Sequence, residues 1–229
     1  MRYFISDMHF YHESLNHQMD KRGFATLEEM HEYMISQWNK KVRRGDDVVI
    51  LGDFSLGKGV VTNEILRRLN GAKYLIEGNH DKFLNDKKFD RTLLRWIKPY
   101  EEIKDNKRKV VLSHYPIMCY NGQNRLDSEG NPKSYMLYGH VHDTFDQVLM
   151  DRFIDQTRQA LRPMGDDKYK PIPCHMINCF CMYSDYMPLS LDEWIELDKA
   201  RREKLEKNLE EKGRDTGIYE REDNTLDKE

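Results

Sequence analysis

No internal repeat, no long apolar run and no excess of positive charge occur in this chain of 229 residues. No segment approaches the roughly 18 apolar residues that a membrane-crossing helix needs, so no membrane partner is expected. The opening MRYFISDMHF holds no apolar run long enough for a secretory signal, and Asp7 interrupts it. A cytoplasmic protein is therefore expected. Cysteine is scarce: Cys119, Cys174, Cys179 and Cys181 are expected as thiols in such a reducing setting. Cys174, His175, Cys179 and Cys181 lack the paired C-x2-C knuckle of a zinc cluster, and small buried residues in a strand explain them better. A formal net charge of -3 provides no global field toward nucleic acid or anionic lipid. That argues against a dedicated DNA-coating protein but does not exclude a nuclease with a local basic surface.

Hydrophobic residues at 38% are enough to bury a core, and charged residues at 34% give it a heavily charged surface. Residues 2–6 read as a short strand, and 7–25 as irregular. Thr26 and Glu29 form a capping box for a helix with Leu27, Met30, Met34, Trp38 and Lys41 at helical spacing. Val48–Leu51 is a buried strand that runs into Gly52-Asp53. Thr62 is expected to cap a second helix, with Ile65, Leu66 and Leu69 on its apolar face and Asn70-Gly71 at its end. Lys73–Glu77 is the next strand. Spacing of Phe83, Phe89, Leu93, Leu94 and Ile97 predicts a helix over 82–98 that stops at Pro99. Residues 100–104 and 109–113 read as strands joined at Asp105-Asn106. A polar loop spans 120–133, a strand spans 135–138, and helix or loop fills 143–170. A strand is expected over 172–181 and a helix from Ser190. Beyond Asp198 charges of both signs dominate, as in a solvated helix that frays into a disordered, possible partner-binding tail. Strand–helix alternation early and strands late suggest two sheets with helices outside them.

One pattern recurs where the strands end. The first gives Asp7 and His9, the second Asp53, and the third Asn79, His80 and Asp81; later strands give His114, then His140 and His142. The carboxyl ends of strands are where α/β folds build their sites. Carboxylates, imidazoles and an amide oxygen without a thiolate suit divalent Mn, Fe or Zn. There are too many for one ion, and a carboxylate has two oxygens with which to bridge a pair. Each piece alone has a plainer explanation: a turn cap for Asp7-x-His9, a common turn for Gly52-Asp53, surface histidines for His140-x-His142. The ordered set does not.

The order D-x-H, G-D, G-N-H-D, H and G-H-x-H resembles the calcineurin-like metallophosphoesterase superfamily. FISDMHFYH, EEMHEYMISQWNKKV, VVILGDFSLG, LNGAKYLIEGNHD, VVLSHYPI, YMLYGHVH and MPLSLDEW look like its small stand-alone bacterial and phage phosphoesterases. The resemblance covers residues 1–197 and leaves 198–229 as a charged helical or disordered tail. It implies an α/β fold, a four-layer αββα sandwich of two mixed β-sheets flanked by helices. It implies two divalent metal ions, manganese first, with iron, zinc or nickel as alternatives. Asp7, His9 and His142 would hold one ion, Asn79, His114 and His140 the other, with Asp53 bridging. A hydroxide shared by the metals would attack phosphorus in line. His80 would protonate the leaving oxygen or stabilise the charge developing on it, and Asp81 would orient His80.

Substrate contacts are expected from His12, Arg22 and Arg125, against the plainer alternatives of a loop histidine and surface arginines. Arg125 lies in the 120–133 loop, a candidate lid. The run Lys104–Lys109 could touch polynucleotide, but a solvated turn explains it better. The expected activity is hydrolysis of phosphate esters, above all phosphodiesters, in a small molecule or nucleotide. A nuclease and a dinucleoside polyphosphate hydrolase are the alternatives within enzymes. A non-catalytic scaffold of the same fold predicts missing ligands, and none is missing.

Overall fold

Side chains along the strands alternate between two cores, and that alternation sets the layers. The computed structural model describes residues 1–211. Strands β1 (Arg2–Ile5), β2 (Asp47–Ile50), β3 (Ala72–Ile76) and β4 (Leu94–Lys98) form one sheet in that order, parallel throughout. The later strands are β5 (Tyr100–Asp105), β6 (Arg108–Ser113), β7 (Ser134–Tyr138), a hairpin of β8 (Leu161–Pro163) and β9 (Tyr169–Pro171), and β10 (Met176–Asn178). The second sheet runs β10-β7-β6-β5, with only β5 antiparallel to its neighbour. The four strands of the first sheet are parallel, and an isolated bridge from Phe4 to Leu189 adds an antiparallel contact along β1.

The helices are α1 (Glu13–His17), α2 (Leu27–Lys41), α3 (Gly59–Arg68), α4 (Phe145–Gln159) and α5 (Leu191–Glu211). On one face of the first sheet, Tyr3, Ile5, Val48, Ile50 and Leu75 pack against Met30, Met34 and Trp38 of α2 and Ile65 and Leu66 of α3. On its other face Phe4, Val49, Leu51 and Ile76 meet Val110, Leu112, Tyr135, Leu137 and Ile177 of the second sheet. The far face of that sheet, with Val111, Met136 and Tyr138, is covered by Met150 and Ile154 of α4. The order helix, sheet, sheet, helix is the expected sandwich. Burial on both faces is why these strands read as continuous apolar runs. Each large apolar side chain so buried contributes about 1.5–3 kcal/mol. Trp194 of α5 closes one end of the central core and donates Nε1–H to the carbonyl of Phe4 at 2.9 Å.

The Thr26–Glu29 box forms as expected. The Thr26 hydroxyl accepts from Glu29 N at 3.1 Å, and the Glu29 carboxylate accepts from Ala25 N. Thr62 is different: α3 starts earlier, at Gly59, and Thr62 turns its hydroxyl inward to Ser55 Oγ at 2.9 Å. No α-helix spans 82–98. Two short 3-10 turns, Lys82–Asn85 and Arg91–Leu93, lead into β4. Phe83 and Phe89 pack edge to face at 4.8 Å, and the Asp86 carboxylate binds the N–H of Gly59 and Lys88, so the apolar spacing serves a folded loop. Leu94–Lys98 then gains more from pairing with β3 than from helix. The 172–181 strand shrinks to Met176–Asn178, because Pro171 and Pro173 have no N–H for a ladder and Cys174 is left-handed at φ 42°. Cys174, Cys179 and Cys181 lie in three different cores, which excludes the zinc cluster. α5 continues through Asp198, and Arg201 and Arg202 there pair with Asp151 of α4. The disordered, partner-binding tail expected at the end of the chain lies outside the described residues from 212 on.

Candidate metal centre

β1, β2, β3, β6 and β7 all point their carboxyl ends the same way, so the segments that follow them meet at one end of the sandwich. Convergence there needs sharp turns. Asp7 (φ 56°), His9 (50°), Asp53 (52°), His140 (70°) and His142 (48°) all take left-handed backbone. Each such residue costs of order 1 kcal/mol or more, and such strain collects at functional sites. Gly52, at φ +89°, turns the chain off β2, and a Cβ there would fall 2.4 Å from His114 Nδ1. Gly78 serves closeness instead: a Cβ would sit 2.3 Å from both Asp53 N and Asp53 Oδ1.

Two groups of side chains result. Asp7, His9 and His142 offer donor atoms within 4.8 Å of one another, and so do Asp53, His114 and His140. His9 Nε2 and His142 Nε2 face each other at 3.2 Å. Asn79 Oδ1 joins the second group, 3.0 Å from both His114 Nε2 and His140 Nδ1. Asp53 lies between the groups. Its Oδ2 is 3.5 Å from His9 Nε2 and 3.4 Å from His114 Nε2. Its Oδ1 accepts the backbone N–H of His80 at 2.7 Å, which fixes the carboxylate's orientation.

Partners behind the imidazoles fix which nitrogen faces inward. His114 Nδ1–H donates to the carbonyl of Leu51 at 2.8 Å. His142 Nδ1–H donates to Asp20 Oδ1 at 2.7 Å. In both rings this leaves the Nε2 lone pair for the centre. His9 Nδ1 has His12 Nδ1 at 3.2 Å. Asp20 escaped notice in the sequence; its signal was an acid two residues before Arg22, which binds its other oxygen at 2.8 Å. Removing such an outer partner typically costs 10–100-fold in metal affinity. Asp20→Asn is expected to weaken one of two divalent-ion sites by about that factor in chelator competition. Two unaltered affinities would show that Asp20 does not act through His142.

The donor chemistry fits cations. Burial pushes the Asp7 carboxyl up; it opposes charge on Asp53 too, but the hydrogen bond and charge of His114 and the His80 N–H hold that carboxyl below the usual carboxylate range. Burial also opposes charge on His114, yet hydrogen bonding to Asp53 and the charges of Asp7 and Asp53 hold it up at about 9. His9 moves the opposite way, well down, through burial and the facing His142. Seven oxygen and nitrogen donors, three of them carboxylate or amide, match borderline or hard divalent ions.

The family model described as calcineurin-like phosphoesterase matches residues 3–176. The chain belongs to the calcineurin-like phosphoesterase family. A metal-dependent phosphoester hydrolase follows from that membership and from the two ligand groups. An uncharacterized protein of Methanocaldococcus jannaschii is 32% identical over 179 residues, which are 76% of this chain and 88% of that one. The crystal structure of a protein of unknown function from Aquifex aeolicus superposes with a TM-score of 0.58 at 24% identity. The match covers 86% of this chain and 98% of that one. This likeness supports the fold alone.

Among calcineurin-like features, three expected residues have other placements than foreseen. Asp81 makes no hydrogen bond to His80. Its buried carboxylate accepts from Gly78 N, Asp53 N and Phe54 N at 2.7–3.0 Å, tying the β3 turn to the β2 turn. Burial pushes it up to about 7 against the Gly78 N–H. Arg22 is buried, and its guanidinium donates to Met8 O, Asp7 O, Asp20 and the Met34 sulfur. It has no N–H left for a phosphate oxygen; it holds the loop that carries Asp7. Arg125 is no lid. β6 and β7 are parallel, so the connection after His114 must return to the opposite end of the sheet. Arg125 O accepts from Lys133 N at that far end. His12 and His80 do reach the centre, with rings 5.2 and 5.4 Å from that of His9 and 6.0 Å from each other. Tyr115, not foreseen, packs its ring tilted against His140 at 4.4 Å and stands half exposed.

Proposed function

We propose that this protein hydrolyses phosphodiesters at a two-metal centre, with manganese as first choice and iron, zinc or nickel as alternatives. The observation that carries this is Asp53 Oδ2, one oxygen placed almost equally between the two histidine-containing groups. Asp7, His9 and His142 would hold one ion, and Asn79, His114 and His140 the other, with Asp53 shared. When bound, such a pair supplies Lewis acidity toward phosphoryl oxygens and lowers the pKa of a coordinated water.

The protein's own groups do the rest. Asp81 and Arg22 lock the turns that carry the ligands, so the donors are preorganised. The His80 main chain is fixed by Asp53, while among the described residues its ring has no hydrogen-bond partner. A ring nitrogen of His80 is therefore free to give a proton to the leaving ester oxygen. Exposed Asn79 and Tyr115 leave the centre open on that side, suited to a small phosphate ester or nucleotide.

The test uses protein stripped with chelator and reconstituted separately with manganese, nickel, zinc and iron. Bis(p-nitrophenyl) phosphate is expected to be cleaved faster than p-nitrophenyl phosphate, and chelator is expected to abolish both. Faster cleavage of the monoester would reject the diester assignment. No cleavage of either ester with any metal would reject the enzyme.

A further inference from the structure

Far from the metal centre, the 120–133 loop and the β8–β9 hairpin flank a half-open pocket of about 290 Å³. Arg125, Lys133, Arg162 and Lys170 line it, with Leu126 and Pro171 among its apolar wall. β7 begins beside Lys133 and ends before His140, so the strand alone puts roughly 17 Å between cavity and centre at about 3.3 Å per residue.

The pocket gathers charge of one sign. Arg162 and Lys170 are direct cross-strand partners in the hairpin. Like charges directly opposite destabilise a pair of strands, and a two-stranded ribbon has little stability to spare. Arg125 and Lys133 are a second adjacent pair, joined by the Lys133 N–H to the Arg125 carbonyl at 3.0 Å. Among the described residues no carboxylate forms an ion pair with any of the four. The acid that acts on Lys133 is Asp127, whose carboxylate is taken up by the backbone N–H groups of Glu129 and Asn131. Four exposed cations thus line one half-open pocket without an acid among its lining residues.

We propose that this cavity binds the phosphate chain, two phosphates or longer, of a small phosphorylated ligand. Two guanidiniums and two ammoniums match the charge of a di- or triphosphate, with arginine suited to bidentate contact. The volume is near the lower end of small-molecule sites, roughly 300 Å³. A nucleic-acid strand fits less well, because the positive surface does not continue. At the adjoining turn two of the cations are taken up by acids: Lys109 pairs with Glu102, and Arg108 with Asp192 and Asp105.

The test is calorimetric titration of the full-length, chelator-stripped protein with inorganic tripolyphosphate, pyrophosphate, ADP and a short single-stranded oligonucleotide. Tripolyphosphate is expected to bind at one site, at least tenfold more weakly in the double variant Arg162→Ala, Lys170→Ala. Both residues are exposed on the hairpin, so thermal unfolding and manganese-dependent diester cleavage should not change. ADP equal to pyrophosphate would assign the site to the phosphate chain alone, and tighter ADP to a chain borne on a nucleoside. No binding, or equal binding by the double variant, would overturn the proposal. So would an oligonucleotide that binds tenfold more tightly than tripolyphosphate.

Discussion

Asp53→Asn is expected to empty both metal sites at ion concentrations that fill the native protein, and to abolish turnover with them. The two oxygens of Asp53 have separate tasks. Oδ1 accepts the His80 N–H at 2.7 Å, while Oδ2 faces His9 and His114 at 3.5 and 3.4 Å. An asparagine can meet only one of these needs. With its oxygen kept on His80, it presents an NH2 donor to the centre, where a lone pair is required. Turned over, it sets that NH2 against the His80 N–H and loosens the turn that carries Asn79. The negative charge is lost in either pose. Outer partners of ligands cost 10–100-fold when removed, so loss of a shared ligand should cost at least about a hundredfold at each site. Metal content by mass spectrometry after dialysis reads the result. Thermal unfolding in chelator separates it from a folding defect. Two ions per chain in the variant would refute the bridge.

The ligand set was legible because each member follows an apolar run, and parallel strands bring their ends together whatever the loops do. His114 shows the limit of that logic. Its ring is oriented by the Leu51 carbonyl and by the closeness of Gly52, both from another strand. Sequence spacing carries no trace of such cross-strand contacts. Asp81 was misassigned for the same reason. Adjacency to His80 suggested a contact with it, but the chain turns there, and the side chain points back to the N–H groups of Asp53 and Phe54. Arg22 was expected to hold a phosphate oxygen, but the fold places the carbonyls of Asp7 and Met8 around it. The helix expected over 82–98 failed at Leu94–Lys98, where an open sheet edge outweighed helical spacing. Left-handed backbone at Asp7, His9, Asp53, His140 and His142 was not legible at all. Strain of that kind is imposed by the surrounding fold and cannot be read from side-chain type.

Replacing His80 separates binding from chemistry. His80→Ala is expected to retain both metals, since the imidazole belongs to neither ligand group and the backbone N–H that Asp53 needs remains. Turnover should fall by roughly 10²–10⁴, the usual contribution of a positioned general acid. The dependence of this loss on the leaving group decides what His80 does. A proton donor matters most when the departing oxygen is basic. If His80 gives up its proton, the loss should be small for a p-nitrophenyl diester, whose leaving group departs as a stable anion. It should be largest for an alkyl ester such as a nucleoside. If the imidazole acts through charge on the phosphoryl oxygens, both esters should slow by the same factor. The position of the ring favours the first outcome. It lies 5.4 Å from the His9 ring and 6.0 Å from that of His12, at the margin of the centre and outside the converging donor atoms. A uniform loss would move His80 from the leaving group to the transferred phosphoryl, and loss of metal in the variant would remove it from the chemistry altogether.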